Sequence, residues 1–148
     1  MVETEGGDVM LFWLYMLVFV LMCPGIMVLF GRMFLRKPPD RINALVGYRT
    51  TMSMMNMDTW TLAHQVCGRF WYRWGMVLLP VSVVAMLFTL GKPTETVGTT
   101  GMILFGVQLI PLVGVIVPTE RALRRTFDRN GLRKLSTDEE GQTEGGSK

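Results

Sequence analysis

Three long stretches of the chain carry no charged residue: Val9 to Gly31 (23 residues), Trp74 to Gly91 (18) and Thr96 to Thr119 (24). A helix rises about 1.5 Å per residue and a bilayer's hydrocarbon core is about 30 Å thick, so one crossing takes roughly 20 apolar residues. The pattern predicts an all-α, polytopic membrane protein with three transmembrane helices, at about 9–31, 70–91 and 99–118. The second reaches full length by including Phe70 to Arg73. Residues 1–8 are expected to form an external tail, 9–131 one membrane domain, and 132–148 a disordered tail, because Asp138-Glu139-Glu140 and the glycines after them offer nothing apolar to bury.

Between the first two spans, over 32–69, the pattern changes twice. Pro38-Pro39 cannot continue a helix, and the stretch from Asn43 to Met55 is rich in hydrogen-bonding side chains without helical periodicity. The interleaved Leu45, Val46, Met52, Met54 and Met57 predict a cap that packs back on the helices or on the lipid interface. From Asn56 or Asp58, either of which can cap a helix N-terminus, Trp60, Ala63, Cys67, Phe70, Trp71 and Trp74 fall on one face, opposite Thr61, Gln65, Arg69 and Arg73. This is an amphipathic interfacial helix that runs into the second span, with aromatics suited to the membrane boundary.

Composition agrees: 148 residues, 49% hydrophobic, with 13 Met. Glu3, Glu5 and Asp8 precede the first span, where a secretion signal would be basic, so this stretch reads as a retained span. The basic residues are one-sided. Arg32, Arg36, Lys37, Arg41, Arg49, Arg69 and Arg73 lie between spans one and two, and Arg121, Arg124, Arg125, Arg129, Arg133 and Lys134 follow span three, against Lys92 alone between spans two and three. Lys and Arg are retained on the cytoplasmic side, so the expected location is the plasma membrane, with the N-terminus outside and the central segment and C-terminus inside. Topology and attraction to anionic membrane lipids account for the net charge of +3, and no direct nucleic-acid partner is implied. The stretch from Lys92 to Thr100 is expected to be a short outer loop.

Candidate chemistry is sparse. The single histidine, His64, forms an H-x-x-C pair with Cys67, too few ligands for a structural zinc site. No acid, base and nucleophile set is visible, so the chain is not expected to be an enzyme or to hold a cofactor. Cys23 and Cys67 read as small apolar fillers. Pro24, Pro80 and Pro111 suggest one bend per span, and Gln108 and Ser82 a hydrogen bond between helices.

Arg41-Ile42-Asn43, Gly47-Tyr48-Arg49-Thr50, Ser53-Met54, Asn56 and Asp58-Thr59-Trp60, followed by a helix and two spans, resemble the SdpI-type (SdpI/YfhL-like) family of bacterial membrane immunity proteins. The likeness continues through Val117-Pro118-Thr119-Glu120-Arg121 to Asn130-Gly131. It departs at Met55, where members often carry a basic residue, and in length, since the family's namesake has further N-terminal spans. The resemblance implies protection against a membrane-active peptide toxin and capture of a cytoplasmic repressor, with Asn43, Gly47, Tyr48, Arg49, Thr50, Ser53, Asn56, Asp58, Trp60 and Glu120 as the functional motif.

Two other readings stay open. Asn43, Arg49, Asn56 and Asp58 could bind an anionic head group in a small transporter or lipid-handling protein. Alternatively the motif builds the cap: Arg49 pairs with Asp58, Gly47 supplies a turn and Asn56 caps the helix. A chain this small could enclose an aqueous path only as a homo-oligomer.

Overall fold

A computed structural model describes residues 2–37, 39–42 and 47–134. Among these the chain is all-helical, with α1 at Val2–Arg36, α2 at Met57–Leu87, α3 at Thr94–Gly114 and α4 at Ile116–Thr126. Three helices are long and apolar enough to cross a membrane, the third being α3 and α4 taken together. Large apolar side chains cover their outer surface, Leu11, Val18, Leu29, Val77, Ile103 and Ile110 among them. Water would not tolerate that much exposed hydrocarbon, whereas lipid does.

The helices extend past the charge-free blocks. Where a tail is expected over 1–8, α1 begins at Val2. The interfacial helix and the second span are one helix of 31 residues. The loop expected over 92–100 is shorter, because Pro93 fixes a backbone angle just ahead of Thr94 and α3 starts there. Pro24, Pro80 and Pro111 all lie inside helices that continue beyond them. Residues 135–148, which include most of the expected disordered tail, lie outside the described residues.

α1 and α2 run antiparallel and share the largest interface. Small residues permit it. A Cβ on Gly31 would lie 2.6 Å from the Tyr72 backbone nitrogen, one on Gly68 2.9 Å from Phe34 Cβ, and one on Gly75 2.7 Å from Val28 Cγ2 and 3.0 Å from the Pro24 carbonyl oxygen. Without a hydrophobic driving force inside lipid, such close backbone approach supplies the dispersion contacts that associate helices. α3 packs parallel to α1 through Met16, Val20 and Val97, with Phe19 and Phe105 centroids 4.9 Å apart. The expected polar link between spans is present, with Gln108 Nε2 donating to Ser82 Oγ at 2.8 Å.

At the end away from the 88–93 turn, a second core gathers Phe34, Tyr48, Ala63, Cys67, Val115, Leu123 and Phe127. This is where the segment between α1 and α2 meets the end of the chain. Cys23 and Cys67 are both buried, as expected of apolar fillers.

The glycine contacts give a direct test. Gly75→Leu should destabilise the detergent-solubilised protein by about 1–3 kcal/mol through overpacking. Gly106→Leu, at a position with nothing within 4 Å, should leave the melting temperature nearly unchanged.

Candidate functional site

The cap is a chain of hydrogen bonds between the segment before α2, α2 itself and the end of α4. It starts at a glycine. Gly47 has φ +124°, a conformation L side chains rarely adopt, and a Cβ there would collide with His64 Nε2. The chain can therefore pass close over the imidazole, and the next amide, Tyr48 N–H, donates to His64 Nε2 at 3.1 Å. A nitrogen that accepts an amide proton carries none itself, so the other ring nitrogen holds it. Nδ1 then donates to the Trp60 carbonyl at 2.7 Å. Both ring nitrogens are used inside the protein, which leaves neither for a metal.

The Tyr48 side chain reaches the opposite way. Its hydroxyl donates to Glu120 Oε1 at 3.3 Å and lies 3.4 Å from the Ile116 carbonyl. Burial, reinforced by the neighbouring Glu120 carboxylate, pushes the phenol pKa well up, so it stays protonated and remains a donor. Glu120 Oε2 in turn lies 3.7 Å from Arg124 Nε.

Thr50 and Ser53 close the next turn. Thr50 N–H donates to Ser53 Oγ at 2.8 Å and Ser53 N–H to Thr50 Oγ1 at 3.2 Å, while Ser53 Oγ also lies 3.1 Å from the Tyr48 carbonyl. Ser53 is fully buried, and these partners replace the water it gives up.

Asn56 joins two distant parts of the chain. It caps α2 by accepting from Thr59 N–H at 2.9 Å, and Thr59 Oγ1 accepts from Asn56 N–H at 3.1 Å in return. Its amide nitrogen donates to the Gly131 carbonyl at 2.6 Å. Gly131 has φ +74° and sits in a turn whose Asp128 carboxylate accepts from Asn130 and Leu132 N–H at 2.8 and 2.9 Å. A side chain on Gly131 would press on Met55 and Asn56.

Trp60 departs from its expected interfacial position. It is fully buried against His64, with ring centroids 4.3 Å apart, and its indole N–H donates to the Pro39 carbonyl at 3.0 Å. Of the cap methionines, Met52 is half-buried and packs against the second core as expected, whereas Met54 and Met57 are exposed. Polar links join Met52 and Tyr48 in holding the segment down.

Of the motif, then, Gly47, Tyr48, Thr50, Ser53, Asn56, Trp60 and Glu120 converge in one network. Arg49 is exposed at its edge. Asp58 is exposed in the first turn of α2, where it complements the helix dipole, and lines a hollow with Gln65, Thr126 and Arg133. The expected Arg49–Asp58 pair is not seen among the described residues, where Lys37 pairs with Asp40 and Arg124 with Glu120. Asn43, Leu45 and Val46 lie outside the described residues.

A family model of the SdpI/YfhL protein family matches residues 40–119 of this chain, more than half its length. The chain belongs to the SdpI/YfhL family. No curated protein and no solved structure matches it. The SdpI/YfhL match opens at Asp40, just after α1, and closes at Thr119, one residue short of the glutamate that holds Tyr48. The anchor of Asn56, Gly131, falls beyond the matched residues.

Two contributors escape sequence reasoning. His64 acts through two backbone partners, which leave no trace in residue identities. Thr59 completes a capping box whose N3 position is more often Glu or Gln, and the Asn56-x-x-Thr59 spacing was the available signal.

Asn56 has two separable jobs. Asn56→Asp keeps the acceptor for Thr59 N–H but loses the donor to Gly131, whereas Asn56→Ala loses both. Thermal unfolding in detergent should show Asn56→Ala costing about 1–2 kcal/mol more than Asn56→Asp if the cap carries its usual weight.

Proposed function

We propose that this SdpI/YfhL-family membrane protein is an immunity and signalling protein that acts by binding. It protects a bacterium from a membrane-active peptide, and its cap engages a cytoplasmic regulator. In this reading it lies in the plasma membrane with the N-terminus outside and the cap inside. Family membership supports the role, and the one-sided distribution of Arg and Lys supports the orientation. The observation that carries the binding mode is the internal use of the motif's polar groups. Tyr48, Ser53, Asn56 and His64 are hydrogen-bonded within the chain, so they build a fixed platform. Arg49, Arg124 and Arg129 stand exposed around it.

Expression in a peptide-sensitive bacterium should confer survival, and Arg49→Ala should remove it with protein abundance unchanged. Loss of protection on scrambling 94–100, with Arg49→Ala still protective, would move the peptide contact to the other end of the bundle.

Orientation is tested separately in a background lacking Cys23 and Cys67. An impermeant thiol reagent should label Lys92→Cys in intact cells and Thr51→Cys only after permeabilisation. The reverse pattern would invert the topology.

A further inference from the structure

The three clamps of the cap each fix one wall of the same hollow. It encloses about 470 Å³ and is lined by Thr50, Thr51, Met52, Met55, Glu120, Arg124 and Arg129. Ser53 holds the turn that presents Thr50 and Thr51. Tyr48 holds Glu120 and so the face of α4 that carries Arg124. Asn56 holds the Gly131 turn that presents Arg129. A neighbouring hollow of about 320 Å³ shares Met52, Arg124 and Arg129 and adds Lys134.

We propose that this hollow binds the phosphate head group of an anionic phospholipid from the leaflet at the cap end, with Arg124 and Arg129 on the phosphate and the hydroxyls of Thr50 and Thr51 beside it.

Charge favours an anion. Arg124, Arg129 and Lys134 face the joined hollows against two carboxylates, Glu120 and Asp128, which leaves an excess of one positive charge, and both carboxylates turn toward partners of their own. Glu120 accepts from Tyr48 and pairs with Arg124, and Asp128 accepts two backbone amides of its own turn. Lys134 donates to the Arg124 carbonyl, which tethers that end of the chain to α4. Guanidinium groups match phosphate through paired N–H donors, and hydroxyls add neutral donors.

Depth favours a lipid. Ile116 and Val117 are exposed apolar residues at the start of α4. Glu120 comes about one turn later and Arg124 about two, roughly 6 and 12 Å along the axis. The head-group layer occupies about 5–8 Å beyond the hydrocarbon, within reach of an arginine extending back from Arg124. Met52 and Met55 give the floor an apolar side. The space suits a head group rather than a folded segment.

The inference rests on the membrane reading but not on immunity, so its test needs no toxin. The full-length protein in neutral detergent is titrated with short-chain phosphatidylglycerol, short-chain phosphatidylcholine, inorganic phosphate and a polyglutamate peptide, with the melting temperature as readout. Phosphatidylglycerol should raise it saturably and phosphatidylcholine should not. Arg124→Gln with Arg129→Gln should weaken that response about tenfold or more, the scale of losing one good charge-assisted contact. Arg121→Gln with Arg125→Gln removes the same charge from the exposed side of α4 and should leave it within about twofold. Equal loss in both pairs would reduce the effect to general surface charge and overturn the site. Inorganic phosphate matching the lipid at equal concentration would make the ligand a soluble anion, and a stronger response to polyglutamate would make the hollow a protein-docking surface. Either result overturns the lipid assignment.

Discussion

The cap depends on one hydrogen bond, from the Tyr48 amide to His64 Nε2. A segment that leaves the membrane after α1 and re-enters through α2 carries backbone amides and carbonyls that must find partners wherever water is excluded. His64 meets that need from within α2. By accepting from Tyr48 while donating to Trp60, it fixes the height at which the segment crosses the helix and the direction in which Tyr48 points. Gly47 is required because the crossing is so close. The contact of Tyr48 with Glu120, and through it the placement of Arg124, follows from the same crossing.

The cap and the bundle are held by different physics. Inside the spans, glycines and Pro24 let helices approach and dispersion holds them, with Gln108–Ser82 as a polar link. The Gln108 Oε1 atom has no partner among the described residues, an acceptor left open in the apolar interior. At the cap an apolar core around Phe34, Tyr48 and Phe127 is overlaid by polar links that end on backbone groups, from Asn56 to Gly131, Trp60 to Pro39 and Ser53 to Tyr48. Such bonds are directional, so they set the positions of the exposed arginines more sharply than hydrophobic contact would.

The spans were legible because lipid imposes a simple rule, and Val9–Gly31, Trp74–Gly91 and Thr96–Thr119 obey it by excluding charge. Helix ends were not, since a helix emerging into water or head groups tolerates any charge and need not stop at the membrane; α2 begins at Met57, far ahead of its charge-free block. Gln108 and Ser82 could be paired by eye as the marked polar residues of adjacent spans. Asn56 was readable as a cap because capping is local. Its second bond, to Gly131, spans 75 residues and has no local signature. Apolar character over 52–57 was only partly informative: Met52 packs on the core, but Met54 in the turn and Met57 at the start of α2 are exposed while Ser53 goes inside.

Amide hydrogen exchange at Tyr48, measured on the full-length protein in detergent, tests the central role of His64 most directly. The Tyr48 amide should exchange as slowly as amides in the middle of α2, and His64→Phe, which removes the acceptor, should release it while the α1–α2 amides near Gly75 stay protected. A Tyr48 amide that exchanges as fast as those of the 88–93 turn in the unaltered protein would contradict a clamped cap.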